Sequence, residues 1–274
     1  MEYHVIDAFT DKLFSGNPAG VCLPDSRLPD SVMQNIAAEN NLSETAFLLK
    51  QDNGHYGLRW FTPTLEVDLC GHATLASAFV LFDEREKETC ELKFDTASGV
   101  LTVTKDNDLI CLDFPARPAK PCPNYPSIAK ALGTEPLAVY KSRDFMVLVE
   151  NEEILSRIKP NFNAFKKVKT DAGLDSDMHG IIVTAPGVGC DFASRFFAPL
   201  AGVPEDPATG SAHCTLTPFW SDRLGKKVME ARQLSARGGV LRCEDFGERI
   251  KIGGKAVRYL RGNISVLECM EGSY

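Results

Sequence analysis

The sequence predicts an α+β fold made of two like halves related by an internal repeat. Strand-like apolar runs bounded by turn residues alternate with small-residue helical segments along the chain. Arg59-Trp60-Phe61-Thr62-Pro63 is echoed by Arg195-Phe196-Phe197-Ala198-Pro199, and an acid-containing loop, a glycine and a small-residue helix follow each copy. Gly71-His72-Ala73-Thr74 then aligns with Gly210-Ser211-Ala212-His213, and the Pro63-to-Gly71 and Pro199-to-Gly210 spacings differ by only three residues, a change of loop length. The 274 residues suit two domains of about 130 residues each.

The elements follow in order. YHVIDAFT is apolar and β-rich, and GNPAGVCL pairs a turn with a second strand. Residues 31–40 carry apolar side chains at helical spacing, and NNLSETAFLL returns to an extended run, so Glu44 falls at a helix-to-strand transition. YGLRWFTPT is a strand ending near Pro63, and GHATLASAFVL, from Gly71 to Leu81, is a buried Ala- and Leu-rich helix. KFDTASGVLTVTKDNDLICLDFP alternates about an Asp-Asn-Asp turn, the pattern of a hairpin. Residues 117–126, RPAKPCPNYP, are too rich in proline for a helix interior or a central strand, and serve as the expected linker. The first domain is accordingly 1–116, joined by a C-terminal strand within 263–274, and the second is 127–262. In the second, SIAKALG is a short helix, AVYKSRDFMVLVE a strand pair, EEILSRIKPNFNAF a helix and turn, and HGIIVTAP a strand.

Composition excludes several function classes. A net charge of -7, with no basic cluster beyond short lysine pairs, argues against a nucleic-acid partner. No apolar run reaches the roughly 18 residues that span a bilayer, and MEYHVIDAFT opens as a strand rather than as a signal segment, so a cytoplasmic protein is expected. Nine cysteines scattered singly suit neither a disulfide framework nor a structural zinc site. No P-loop, nucleotide fingerprint or metal-ligand spacing is present, so no cofactor and no metal are expected.

Residues 205–214, EDPATGSAHC, place carboxylates and hydroxyls ahead of an apolar segment, the pattern of a helix N-terminus with free backbone N–H groups. Such turns bind anions, and two related copies, at Gly71 and Gly210, suit a carboxylate-bearing small molecule. Thr209 stands beside the second glycine. Glu44 lies among Leu, Ala and Phe, where partial desolvation would suit proton transfer, but by sequence alone it reads as a solvated loop acid. Asn17, in GNPAGV, has its simplest role in the turn.

Four ordered motifs, SGNPAGVCL, NLSETAFL, DLCGHATLASA and EDPATGSAHC, together resemble the PhzF-like (phenazine biosynthesis-like) isomerases of the diaminopimelate epimerase-like superfamily along essentially the full length. The resemblance implies that each half is a mostly antiparallel sheet wrapped around a central helix, with the active site in the cleft between them. It implies Glu44 as general acid/base, His72 in substrate binding and proton handling, and Asp206 and Ser211 as their partners, in a cofactor-independent hydrogen shift on a small carboxylate, with a homodimer as a candidate assembly. Superfamily racemases use two thiols. Cys70-Gly71-His72 resembles the first thiol motif, whereas Asp206, Pro207 and Ala208 precede Thr209-Gly210 and no second thiol stands there. A racemase using Cys70 with an acid partner, and a non-catalytic binding protein, remain the alternatives.

Overall fold

The computed structural model describes residues 1–171 and 180–266. The chain divides into two compact units, one of Met1–Asp113 with the chain from Gly253 onward and the other Phe114–Ile252. In chain order the first run holds β1 (Glu2–Ala8), β2 (Asn17–Leu23), α1 (Asp30–Asn40), β3 (Glu44–Lys50), β4 (Tyr56–Phe61), β5 (Glu66–Val67), α2 (Gly71–Glu84), β6 (Glu91–Thr96), β7 (Gly99–Asp106) and β8 (Leu109–Pro115). The second holds β9 (Lys120–Pro121), α3 (Pro126–Leu132), β10 (Ala138–Lys141), β11 (Phe145–Leu148), α4 (Glu152–Arg157), α5 (Phe165–Asp171), β12 (Ile181–Pro186), β13 (Phe192–Ala198), β14 (Val203–Asp206), α6 (Gly210–Leu224), β15 (Val228–Gln233), β16 (Gly239–Asp245) and β17 (Arg249–Gly254). The last strand, β18 (Ala256–Asn263), belongs to the first unit.

The first unit's strands lie in the order β18-β1-β2-β3-β4-β6-β7-β8, with β5 beside β4. All pairs are antiparallel except β2–β3 and β4–β6. Those two connections contain α1 and α2, because a parallel step needs a long crossover. The second unit repeats the plan as β9-β10-β11-β12-β13-β15-β16, with β14 beside β13. Its parallel pairs, β11–β12 and β13–β15, are again the ones bridged by helices. Even the register repeats: Phe47 faces Arg59 and Val183 faces Arg195, a constant offset of 136 residues, which becomes 139 after the longer loop, from Gly71 to Gly210.

Each unit wraps its sheet about one buried helix. In α2, His72 to Ala78 and Val80 to Phe82 are all buried, and its Ala and Ser residues let strands approach closely. A helix apolar on every side must lie inside a core. In α6, buried Trp220 donates its indole N–H to Thr184 Oγ1 at 2.9 Å and stacks on Phe192 at 5.6 Å between ring centroids. Pro218 lies inside this helix and cannot bond back to the Cys214 carbonyl. That carbonyl instead accepts the Arg117 N–H at 2.9 Å. On the first unit's outer layer, α1 packs Val32, Met33, Ile36 and Ala37 against Phe47 and Phe61.

Three details differ from the expected elements. Residues 93–115 form the second of two successive hairpins as well as the first, with Asn107 in the left-handed region at φ 54° in the Asp-Asn-Asp turn. The proline-dense stretch supplies β9 to the second unit's sheet, where pairing with β10 alone tolerates prolines that lack an N–H. The chain rejoins β1 through β18, earlier than 263–274; Ile264 still exchanges backbone hydrogen bonds with Met1, and 267–274 lie outside the described residues. Among the described residues no helix is long and apolar enough to cross a membrane.

Candidate active site

The repeated arginines have a mechanical role that explains the repeat. Arg59 grips Glu66 through two hydrogen bonds of 2.7 Å and reaches Asp30 at 2.7 Å. Arg195 grips Glu205 at 2.7 and 3.0 Å and reaches the Leu155 and Ile158 carbonyls. A planar guanidinium holds a carboxylate by both oxygens, so each fork pins the acid loop that leads into α2 or α6. A serine two residues beyond the next strand secures the same loop in both units: Ser98 donates to the Asp68 carbonyl at 2.8 Å and Ser235 to the Pro207 carbonyl at 2.7 Å.

Both helices therefore start at fixed points, at the expected glycines. Cys70 and Thr209 hold the two N-cap positions in extended backbone, and neither side chain caps its helix. A helix start of this kind favours an anion through its first-turn N–H groups and the helix dipole. Behind each cap, a side chain four residues on bonds the cap's carbonyl: Thr74 Oγ1 donates to the Cys70 oxygen at 2.5 Å, and His213 Nδ1 meets the Thr209 oxygen at 2.8 Å.

In the first unit, Glu44 opens β3 directly after α1, opposite Ala19 of the parallel β2. Asn17, two residues before Ala19 and wholly buried, shares that face of the sheet. The Glu44 carboxylate lies 3.1 Å from His72 Nε2, and the Cys70 sulfur lies 3.5 Å from His72 Nδ1. His72 and Cys70 are buried and Glu44 half-buried. Burial opposes charge on His72, yet the neighbouring sulfur and the Glu44 carboxylate prevail and hold its pKa above the ordinary value. Burial, reinforced by the Glu44 charge, pushes the Cys70 thiol up to about 11, so the sulfur is a neutral thiol at pH 7.

In the second unit, Asp206 ends β14 and its carboxylate accepts the Thr209 hydroxyl at 2.5 Å. Gly210 is buried at the helix start, and Ser211, on the exposed side of the first turn, stands where His72 stands in the first unit. Gln233, which the sequence reading did not single out, clamps this loop. It accepts the Thr209 N–H at 2.8 Å and donates to the Asp206 carbonyl at 2.7 Å and to Thr209 Oγ1 at 3.0 Å. Lying at the end of an alternating strand, it reads in sequence as an ordinary polar position. Only its 1% exposure marks it.

No opposing thiol stands in this unit's copy of the motif. Thr209 takes the place of Cys70, while Cys214 lies a turn into the helix, directed at the Gly210 carbonyl, with burial pushing its pKa up to about 12. In the first unit, Glu44, Cys70 and His72 offer donor atoms all within 4.8 Å of one another. Sequence spacing hid this mixed group because Glu44 is remote from the Cys70-Gly71-His72 segment.

The α+β repeat thus carries a carboxylate–imidazole pair at the start of α2. A family model described as phenazine biosynthesis-like protein (PhzC-PhzF) matches residues 6–262, and the chain belongs to this family. A Pseudomonas aeruginosa protein named an uncharacterized isomerase is 46% identical over 94% of this chain and 96% of its own. The human phenazine biosynthesis-like domain-containing protein is 40% identical over 95% and 98%. A PhzF-family structure from Enterococcus faecalis, 44% identical, superposes with a TM-score of 0.91 over 97% of this chain and 99% of the other. A hydroxyproline epimerase from Agrobacterium vitis, at 11% identity and a TM-score of 0.64, shares the fold. Family and names together support an isomerase-type enzyme.

Proposed function

We propose that the protein catalyses an acid/base hydrogen shift on a small carboxylate-bearing substrate, with Glu44 as the group that takes and returns the proton. The observation that carries this reading is the Glu44–His72 pair, a carboxylate 3.1 Å from a buried imidazole at the start of α2. Glu44 removes a proton from carbon, and His72, at ion-pair distance, offsets the charge of the carboxylate. The helix starts at Gly71 and Gly210 are each suited to a substrate carboxylate, with the glycines allowing close approach. Asp206, held by Thr209, exchanges a proton as the second acid/base group, and Ser211 and Asn17 contact the substrate.

The test is a screen of aromatic and aliphatic carboxylates for deuterium uptake from heavy water, read by mass spectrometry. Uptake at carbon without net oxidation is expected for at least one compound. Failure of every carboxylate, with uptake into an uncharged compound instead, defeats the reading.

Two variants probe the supporting groups. Cys70→Ser retains exchange within about tenfold of wild type, because the sulfur is neutral and no opposing thiol stands at Thr209; complete loss in a folded Cys70→Ser protein favours a thiol-dependent epimerase. Gln233→Leu strands the buried Thr209 N–H and releases the Asp206 loop. An orphaned buried donor costs about 1–3 kcal/mol of folding stability, and kcat/KM falls as the Asp206 loop loosens. Gln233→Glu keeps the acceptor for the Thr209 N–H and recovers part of the loss, whereas equal damage in both variants removes the clamp from the argument.

A further inference from the structure

The N-cap side chain of α2 has no part in the proton transfer proposed above, and it does not cap its own helix. We propose that Cys70 is a positioning residue, whose sulfur holds the His72 ring in the orientation that sets Nε2 against Glu44. The sulfur and the carboxylate take opposite ring nitrogens, with Sγ 3.5 Å from Nδ1 and the Glu44 carboxylate 3.1 Å from Nε2. Turning the ring over would put a carbon where each nitrogen now stands, so the two contacts together select one orientation.

Of these two contacts, the one to sulfur is the hydrogen bond. Glu44 Oε2 and His72 Nε2 are both buried without an aligned hydrogen bond, at ion-pair distance only. Charge attraction depends on distance, whereas a hydrogen bond weakens steeply off its axis, so the sulfur end is the one that fixes the ring plane. A thiol accepts from Nδ1–H when the ring is charged and donates to a bare Nδ1 when it is neutral, and so serves both states. The anchor is itself fixed, because the carbonyl of buried Cys70 accepts Thr74 Oγ1 at 2.5 Å and the Thr74 N–H at 3.1 Å. The repeat supports the assignment independently. Thr209 holds the N-cap of α6, and its hydroxyl likewise leaves the helix uncapped and donates to the Asp206 carboxylate. In each unit, then, the N-cap side chain is turned to a candidate acid/base residue of that unit. The catalytic consequence of this inference rests on Glu44 being the acid/base group proposed above.

The test is a double-mutant cycle on the His72 titration, followed by NMR of the full chain labelled at histidine, with no substrate added. Cys70 and Glu44 are the titratable groups that act on this ring, and both raise its pKa against burial. Glu44→Gln lowers the titration when the sulfur is present. In a Cys70→Ala protein the same change is expected to lower it by about half as much or less, because a ring released from the sulfur no longer keeps to the carboxylate. Cys70→Ser, which can still donate and accept, retains the full drop. Cys70→Val fills the space without a hydrogen bond and replaces the alanine variant if that protein does not fold. Equal drops with and without the sulfur overturn the proposal, and so does a titration that Glu44→Gln leaves unmoved in the otherwise wild-type chain. Drops that differ as expected, beside wild-type deuterium exchange in Glu44→Gln, leave Cys70 as the residue that positions the ring and remove only Glu44 from the proton transfer.

Discussion

Glu44→Gln lowers solvent-deuterium exchange by about 10²- to 10⁴-fold, the span that a positioned general acid/base contributes. The amide keeps the size of the side chain and removes its charge. Glu44 sits at the first residue of β3, where the strand's pairing with β2 and β4 continues through Thr45 and beyond, so the sheet keeps its register in the variant. A second readout separates chemistry from folding. Cys70 and the Glu44 carboxylate together raise the His72 pKa against its burial, so in Glu44→Gln the ring titrates at lower pH, visible in its NMR shifts. Exchange at the wild-type rate in a variant whose His72 pKa has dropped would remove Glu44 from the mechanism.

Acid weakens the second unit through His213, and the expected effect is about 3 kcal/mol. This side chain has no exposure, and burial brings its pKa from 6.5 down to about 4, only partly opposed by the hydrogen bond to the Thr209 carbonyl. The unfolded chain therefore binds a proton at a pH where the folded chain does not. Stability from this residue is complete above pH 6.5 and is lost as the pH falls toward 4, at about 1.4 kcal/mol per pH unit within that window. Denaturant unfolding at pH 7 and at pH 4.5 measures the change. His213→Asn keeps a short donor for the Thr209 carbonyl but cannot titrate, so it is less stable at every pH because of the lost ring packing against Phe192, and its stability falls less steeply across the window. An unchanged slope in the variant would assign the acid sensitivity elsewhere.

The paired motifs were legible because they repeat. Arg59-Trp60-Phe61 and Arg195-Phe196-Phe197 announce strands of one register, and the small residues after Gly71 and Gly210 announce buried helices, since Ala, Ser and Thr allow the close approach of surrounding strands. Family membership was readable for the same reason, from four motifs in a set order. The N-cap carboxylates and hydroxyls of EDPATGSAHC pointed to a helix start, but not to the Thr209 hydroxyl turning away from its helix to Asp206.

By itself, then, the sequence determined the α+β repeat, the two glycine helix starts and the residue types available for acid/base chemistry. Periodicity and local propensity act within a few residues, and a duplicated pattern carries them across the chain. Only the tertiary structure decided which distant residues meet. It set Glu44 against His72 across 28 positions of chain, put Gln233 under the Asp206 loop, turned Arg117 toward the carbonyl that Pro218 leaves unbonded, and gathered Glu44, Cys70 and His72 into one donor cluster. These contacts depend on strand register and on the burial of polar groups that must find partners wherever the fold brings them, and no spacing along the chain encodes such partners.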